Sequence, residues 1–417
     1  MLRSLLVLLI VMGGLPLIFK LPYIGVYLYL WISMMNPHRM TYGFAFDFPF
    51  ALVLAVTTIA VAMGTKLRRG VPLTAQSGLL ILFVLWMSVT SLTALNKQNL
   101  VYDQWIIVIK MMTMLFICCV LVYEKKTIHW LVWVLVGSIA FFGAKGGVFT
   151  VLTGGAYRVW GPPSSYIEGN NELALGLVAL LPLMYYLYLT EKNKWIRRLI
   201  IFMMVTCTFS ILGSHSRGAL LALVAGITLL GLKSKRPMLT VVIIVVSLPL
   251  LIAFMPEKWT GRMKTIQTYE QDMSANQRLN TWATILNMIK DRPIVGAGFR
   301  LDNSYIYNKY SPDKQAAYHA AHSLYFQCLG EHGIPGLLIY LSLAISTYLK
   351  AGKLSKLSRQ RPEWEWGEHL MRMLQASLVG FGVGGAFLGL LHWDMPYFFV
   401  ALVIIYERWL KEQSAKP

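Results

Sequence analysis

HSLYFQCLGEHGIPGLLIYLSLAISTYL, residues 322–349, opens on a histidine and a serine and continues as a run long enough to cross a bilayer. A spanning helix needs roughly 20 predominantly apolar residues. Runs of the same character lie at 2–19, 21–35, 48–64, 77–95, 104–123, 128–152, 172–190, 196–213, 216–232, 238–255, 369–391 and 395–409. The first two meet across Lys20-Leu21-Pro22, so one of them is expected to be re-entrant or to lie on the surface. The expected fold is an all-α polytopic membrane protein with about 12 transmembrane helices. Hydrophobic residues make up 56% of the 417 and charged residues 14%. A soluble domain carries about a quarter charged, so that class is excluded.

The net charge of +19 would suit a nucleic acid, but its placement argues against one. Lys66-Arg68-Arg69, Lys125-Lys126, Lys192 through Arg198, Lys233-Lys235-Arg236 and Lys350 through Arg361 fall in alternate loops. The loops between them are nearly free of positive charge. This is the positive-inside pattern, which assigns the basic loops and the C-terminus to the cytoplasm and the charge to orientation and membrane lipid contact. Arg3 ahead of an apolar stretch has the outline of a signal peptide, but no small-x-small site follows before Lys20, and a retained helix is expected. Cys118, Cys119, Cys207 and Cys328 all fall in apolar runs and read as packing residues rather than a disulfide or metal framework.

Three parts follow: a helix bundle over 1–255, a polar outer loop over 256–321, and C-terminal helices over 322–417. Within the loop, Ser274 and Gln277 form a capping-box pattern. Leu279, Trp282, Ile285, Leu286 and Ile289 then recur at helical spacing until Arg292-Pro293. An amphipathic helix near 274–291 is expected, lying on the outer membrane face or packed on the loop's own core. Residues 302–318, rich in Asn, Tyr and Ser, read as a mobile loop.

Candidate site residues gather at the outer ends of the runs. Arg217, in Ser214-His215-Ser216-Arg217-Gly218, sits where an outer turn enters an apolar helix. An arginine at a helix centre costs roughly 2.5–3.5 kcal/mol on insertion scales, so such residues have partners or functions. Its planar fork of donors suits a phosphate or pyrophosphate. Arg158 beside Trp160 suits a sugar-phosphate or an aromatic belt, and Lys145 is a further cation near an outer helix end. Glu172, at a helix start, complements the helix dipole or pairs with an arginine. His319 and His322 are three apart, but no third ligand falls at a familiar spacing, so no metal is expected. His322 closes the large loop, and with a reference pKa near 6.5 it could accept a proton from a hydroxyl.

His322-Ser323, nine residues, then Gly333-x2-Gly336 resembles the signature of the O-antigen ligase family. Ser216-Arg217-Gly218, Asn170-Asn171-Glu172-Leu173-Ala174 and Arg278-x3-Trp282 through Pro293-x2-Gly296-x-Gly298 resemble further family elements, so the likeness covers 157–340. Asn36-Pro37-His38-Arg39-Met40-Thr41-Tyr42-Gly43 is similar to the exosortase-associated O-glycosylation ligases. The resemblance implies a GT-C-like membrane glycosyltransferase with a large periplasmic loop, acting in lipopolysaccharide biosynthesis at the periplasmic face of the bacterial inner membrane. The implied donor is a glycan on undecaprenyl pyrophosphate and the implied acceptor a hydroxyl of lipid A–core, with inversion and no metal or cofactor. On this reading His322 and Arg217 are catalytic. Arg158, Lys145, His319, Arg278, Arg292, Arg300, Trp160 and Glu172 contact pyrophosphate or glycan. An O-antigen polymerase, a protein O-oligosaccharyltransferase and, as a non-enzyme, a flippase or exporter of lipid-linked glycan remain alternatives.

Overall fold

A computed structural model describes residues 2–232, 273–313 and 317–415, with 253, 255–257, 259, 261 and 315. Most of the apolar run 238–255, the basic cluster Lys233-Lys235-Arg236 and the Ser274 side chain lie outside the described residues. Every regular element among the described residues is helical. The larger helices are α1 (Leu2–Lys20), α2 (Tyr23–Met35), α3 (Phe50–Gly64), α4 (Ala75–Leu92), α5 (Gln98–Leu121), α6 (Lys125–Leu152) and α7 (Asn170–Thr190). They continue as α8 (Lys194–Gly213), α9 (Arg217–Leu232), α10 (Met273–Asp291), α11 (Ser304–Tyr310), α12 (Leu324–Ser358), α13 (Glu365–Gly385) and α14 (Asp394–Ser414). Seven of these, α1, α4 to α8 and α12, are long and apolar enough to cross a membrane, and α2, α3 and the Arg217–Leu229 part of α9 are shorter apolar helices. The chain is a polytopic membrane protein, all-helical among the described residues.

Burial explains the layering. In α14 every residue from Asp394 to Leu410 except Arg408 is buried, as expected for a central helix apolar on all sides. The first two runs form a helical hairpin. Arg3 Nη1 donates to Met40 O (3.5 Å) and Ser4 Oγ to Tyr42 O (3.0 Å), so the start of α1 lies beside the segment that follows α2.

The segments read as inner and outer separate to opposite ends of the bundle. At the basic end, Arg408 donates to Gly70 O and Val122 O, Lys125 lies over Trp366, and Ser358 meets Tyr406. At the loop end, Val159 N donates to Gly213 O (3.0 Å), Asn170 Nδ2 to Ser214 O (2.6 Å) and Asn96 Nδ2 to Arg300 O (2.8 Å). Close helix contact sets side-chain direction here. A Cβ on Gly147 would stand 1.8 Å from Thr206 O, and one on Gly143 would stand 2.4 Å from Cys207 Sγ. Glycine and small residues let α6 meet α8 backbone to backbone. Lys145 lies on the opposite side of α6 from that seam and is exposed. The four cysteines are buried and unpaired with one another, as packing residues.

The 322–336 motif is a helix broken on purpose. Ser323 caps α12, its Oγ accepting from Phe326 N at 3.4 Å. Gly333 then takes φ 68°, ψ −173°, a region essentially reserved for glycine, and interrupts α12 nine residues in. The carbonyls freed by the break are all taken. Ala297 N donates to Gly330 O (2.8 Å), Gly298 N to Glu331 O (2.9 Å) and Trp86 Nε1 to His332 O (2.8 Å). Ile334 N in turn donates to Pro293 O at 2.8 Å. Gly333→Ala would place a Cβ 2.1 Å from Ile294 O. That substitution is expected to lower the thermal unfolding midpoint in detergent through backbone strain of about 1–3 kcal/mol plus the displaced turn; an unchanged midpoint would mean that the break is not held as described.

Candidate active site

The described part of the 256–321 loop is packed on the protein. Ile285, Met288 and Ile289 of α10 are buried with Ala297, Leu301, Ile306 and Tyr310, against Phe326 and Leu329 of α12. Trp282 stacks on Phe326 at 4.7 Å with 5° between planes, and its Nε1 donates to Ala321 O (2.8 Å). The membrane-surface alternative therefore gives way for this face to the loop-core reading, although Leu279 and Leu286 remain about half exposed. Helix α10 is described from Met273, and the capping role read for Ser274 lies outside the described residues. The segment read as mobile holds α11, capped by Asn303 Oδ1 accepting from Ile306 N (3.0 Å). Its Tyr307 hydroxyl meets Thr281 Oγ1 (2.7 Å) and both backbone groups of His319 (3.0 Å). Buried tyrosines replace mobility with an anchor for the approach to His322.

His322 itself has φ 44°, a left-handed conformation uncommon outside glycine. His215 (φ 58°) and Arg300 (φ 69°) share that feature. Such residues cluster where the surrounding structure overdetermines a site. His215, Ser214 and Ser216 are all buried, and His215 Nε2 is 3.0 Å from Gly155 O. Arg217 emerges from this fixed turn at the N-terminus of α9, where backbone amides also favour an anion. A cavity of about 480 Å³ is lined by Arg217, Arg278, Trp282, Leu279 and Phe387. His322 stands within electrostatic reach of Arg278 and His319. Glu172 also lies within reach of Arg278. Burial first, then the Arg278 charge and His319, hold the His322 imidazole below its usual pKa. Its neutral form is thereby favoured.

Not all the expected cations join this group. Lys145, Arg158 and Trp160 line a different cavity, of about 970 Å³, that shares no lining residue with the Arg217 cavity. Arg300 lines another, of about 550 Å³, with Lys110, Tyr166 and Asp394. Arg292 has a structural task, its Nε donating to Gly296 O (2.6 Å) and its Nη2 to Thr93 O. It clamps the turn that receives the broken helix to the end of α4.

Sequence reasoning missed a buried cluster directly below. Glu331 Oε2 and His392 Nε2 are 2.7 Å apart, and His332 Nδ1 is 2.8 Å from Thr90 Oγ1. Arg300 N and Gln327 Nε2 approach Glu331 Oε1 at 3.3 and 3.4 Å. The ligand-capable atoms of Glu331, His332 and His392 lie within 4.8 Å of one another. The spacing argument around His319 and His322 could not find this set, because His392 lies 61 positions beyond Glu331. Its hydrogen bonds tie the first half of α12 to the 386–392 segment beside Arg217, where Gly218 approaches Phe387.

Residues 202–341 match the family model described as O-antigen ligase. Residues 2–193 match a family of unknown function (DUF5935). Comparison with curated proteins gave no match. His392→Ala is expected to cost about 3–5 kcal/mol, because it strands a buried carboxyl. Glu331→Gln added to it should restore part of the loss in the unfolding midpoint; equal midpoints for wild type and His392→Ala would deny the pair a supporting role.

Proposed function

We propose, on the premise that residues 202–341 form a domain of the O-antigen ligase family, that the chain moves a preassembled glycan from a lipid-linked donor to an acceptor hydroxyl. The family assignment supports a glycan-transferring, ligase-type activity, and the apolar helices support a multi-pass membrane protein. The observation that carries the finer reading is that Arg217 and Arg278, from distant segments, line one cavity while His322 stands within electrostatic reach of Arg278. The donor would be a glycan on undecaprenyl pyrophosphate and the acceptor lipid A–core. The site would face the periplasm from the inner membrane, since the opposite end carries the basic loops.

In this mechanism the acceptor hydroxyl oxygen attacks the anomeric carbon while its proton passes to His322. The bond from that carbon to the pyrophosphate oxygen breaks, the electron pair leaves with the pyrophosphate, and the anomeric configuration inverts. Arg217 and Arg278 stabilise the charge that develops on the leaving group, which donors fixed in advance do best. Glu172 positions Arg278, and His319 shapes the surroundings of His322. Arg158, Lys145 and Trp160 are kept as substrate-binding residues in their separate cavity. Arg300 is kept as a contact at the margin, and Arg292 as support for the site.

The test is the mass of the acceptor after incubating purified full-length protein with lipid-linked glycan and acceptor. His322→Ala is expected to abolish transfer while the protein still inserts and unfolds normally, and Arg217→Lys to fail as well because a planar fork is needed. Near-normal product from His322→Ala would remove it from the chemistry. Lengthened lipid-linked chains would point to a polymerase, and no covalent product from wild type to a flippase or exporter. The rate should also rise with pH along an acid limb set by His322, centred below pH 6.5 because its pKa is lowered. Arg278→Gln removes a repelling charge, so its residual activity should show that limb at higher pH; an unmoved limb would uncouple the two residues.

A further inference from the structure

The cavity of about 970 Å³ lies wholly outside residues 202–341. Its charged lining residues among the described ones are Arg3, Arg39, Lys145, Arg158 and Asp47, four cations and one anion. They come from the first turn of α1, the turn Pro37–Met40, the exposed side of α6 and the loop before α7. All belong to the part of the chain matched by a family of unknown function.

Parts of this basin are built rather than incidental. Arg39 is held by Asp47 (Nη1 to Oδ1, 3.1 Å) and lies 4.7 Å over the Phe46 ring. Arg3 is drawn in by Met40 O, and Lys145 is turned outward by the glycine seam on the other side of α6. The rim carries large exposed aromatics: Tyr42 is 81% exposed, Phe44 62% and Trp160 60%. Further along α1, Leu5, Leu6 and Leu9 are all more than half exposed. Cations and aromatic rings above a flank of exposed leucine match the layering of headgroup over acyl chain.

We propose that this basin is a second substrate site, which binds the phosphorylated saccharide headgroup of a glycolipid whose acyl chains lie along α1. Its volume sits at the upper end of ligand pockets, far more than a lone phosphate fills. The aromatic faces suit sugar rings, and the cations suit phosphate. The exposed leucines favour a ligand that arrives within the bilayer over a soluble one. Within the transfer reading, on which only this assignment of role rests, the occupant is the acceptor. The Arg217 cavity then keeps the donor, and residues 2–193 supply acceptor recognition.

Binding can be read without catalysis. Full-length protein in phosphatidylcholine nanodiscs is titrated with fluorescent bis-phosphorylated lipid A, with unlabelled lipid A, phosphatidylglycerol and inorganic pyrophosphate as competitors. Lys145 and Arg158 are exposed, so the double substitution Lys145→Gln, Arg158→Gln should leave the fold intact. It is expected to weaken lipid A binding at least about tenfold, while His322→Ala binds as wild type. A double variant with unchanged affinity overturns the proposal. So does equal competition by phosphatidylglycerol, which would make the basin a general anionic lipid contact, or full competition by pyrophosphate, which would make the ligand a soluble phosphate. Should His322→Ala bind lipid A but transfer nothing, both readings stand. Should lipid A bind at the basin while wild type forms no product, only the transfer reading falls.

Discussion

A break in one membrane helix organises the loop end of this protein. In hydrocarbon an unpaired carbonyl costs several kcal/mol, so a transmembrane helix can be interrupted only where protein supplies donors. The break at Gly333 frees the carbonyls of Gly330, Glu331 and His332, and the 293–298 turn and Trp86 meet them. The turn is thereby fixed in place, since Gly296 can approach Gly330 O only without a side chain. Leu95 N donates to Ala297 O (2.8 Å) on its other side, so the turn is stitched between α4 and α12.

The consequence reaches the chemistry through short, rigid links. Pro293 lies two residues past the end of α10, so fixing the turn fixes the end of the helix that carries Arg278 and Trp282. Trp282 then stacks on Phe326, three residues past the Ser323 cap, which sets the spacing between α10 and the start of α12. His322 lies between these constraints, with Tyr307 holding the backbone of His319 just ahead of it. Its left-handed φ is the strain expected where a side chain is aimed by its surroundings and not by its own preference.

Much of this was legible in the sequence, and the limits have physical causes. Apolar runs and the placement of lysine and arginine gave the helices and sorted their ends, because both signals are local and strong. The motif from His322 to Gly336 was legible as a motif but not as a break. Nothing in its residues reveals that the freed carbonyls are met from 293–298 and Trp86. For the same reason no motif showed that Arg292 donates to the backbone carbonyls of Gly296 and Thr93. Tyrosine, asparagine and serine over 302–318 suggested mobility, but buried Tyr307 and Tyr310 show that such composition also suits a tightly hydrogen-bonded cover. The Glu331–His392 pair joins two separate segments, so no spacing rule could have shown it.

The division of cations between two cavities follows from the electrostatics of a membrane boundary. Gathering Arg3, Arg39, Lys145, Arg158, Arg217 and Arg278 around one void would set like charges against each other where the dielectric is low and screening weak. Among the described residues, Asp47 is the one acidic residue lining the first cavity, and none lines the second. Dividing the groups between two cavities reduces that repulsion. A reaction between two lipid-borne substrates imposes the same geometry. Both ligands bring negative charge, and two phosphates drawn into one basin would compete for its cations.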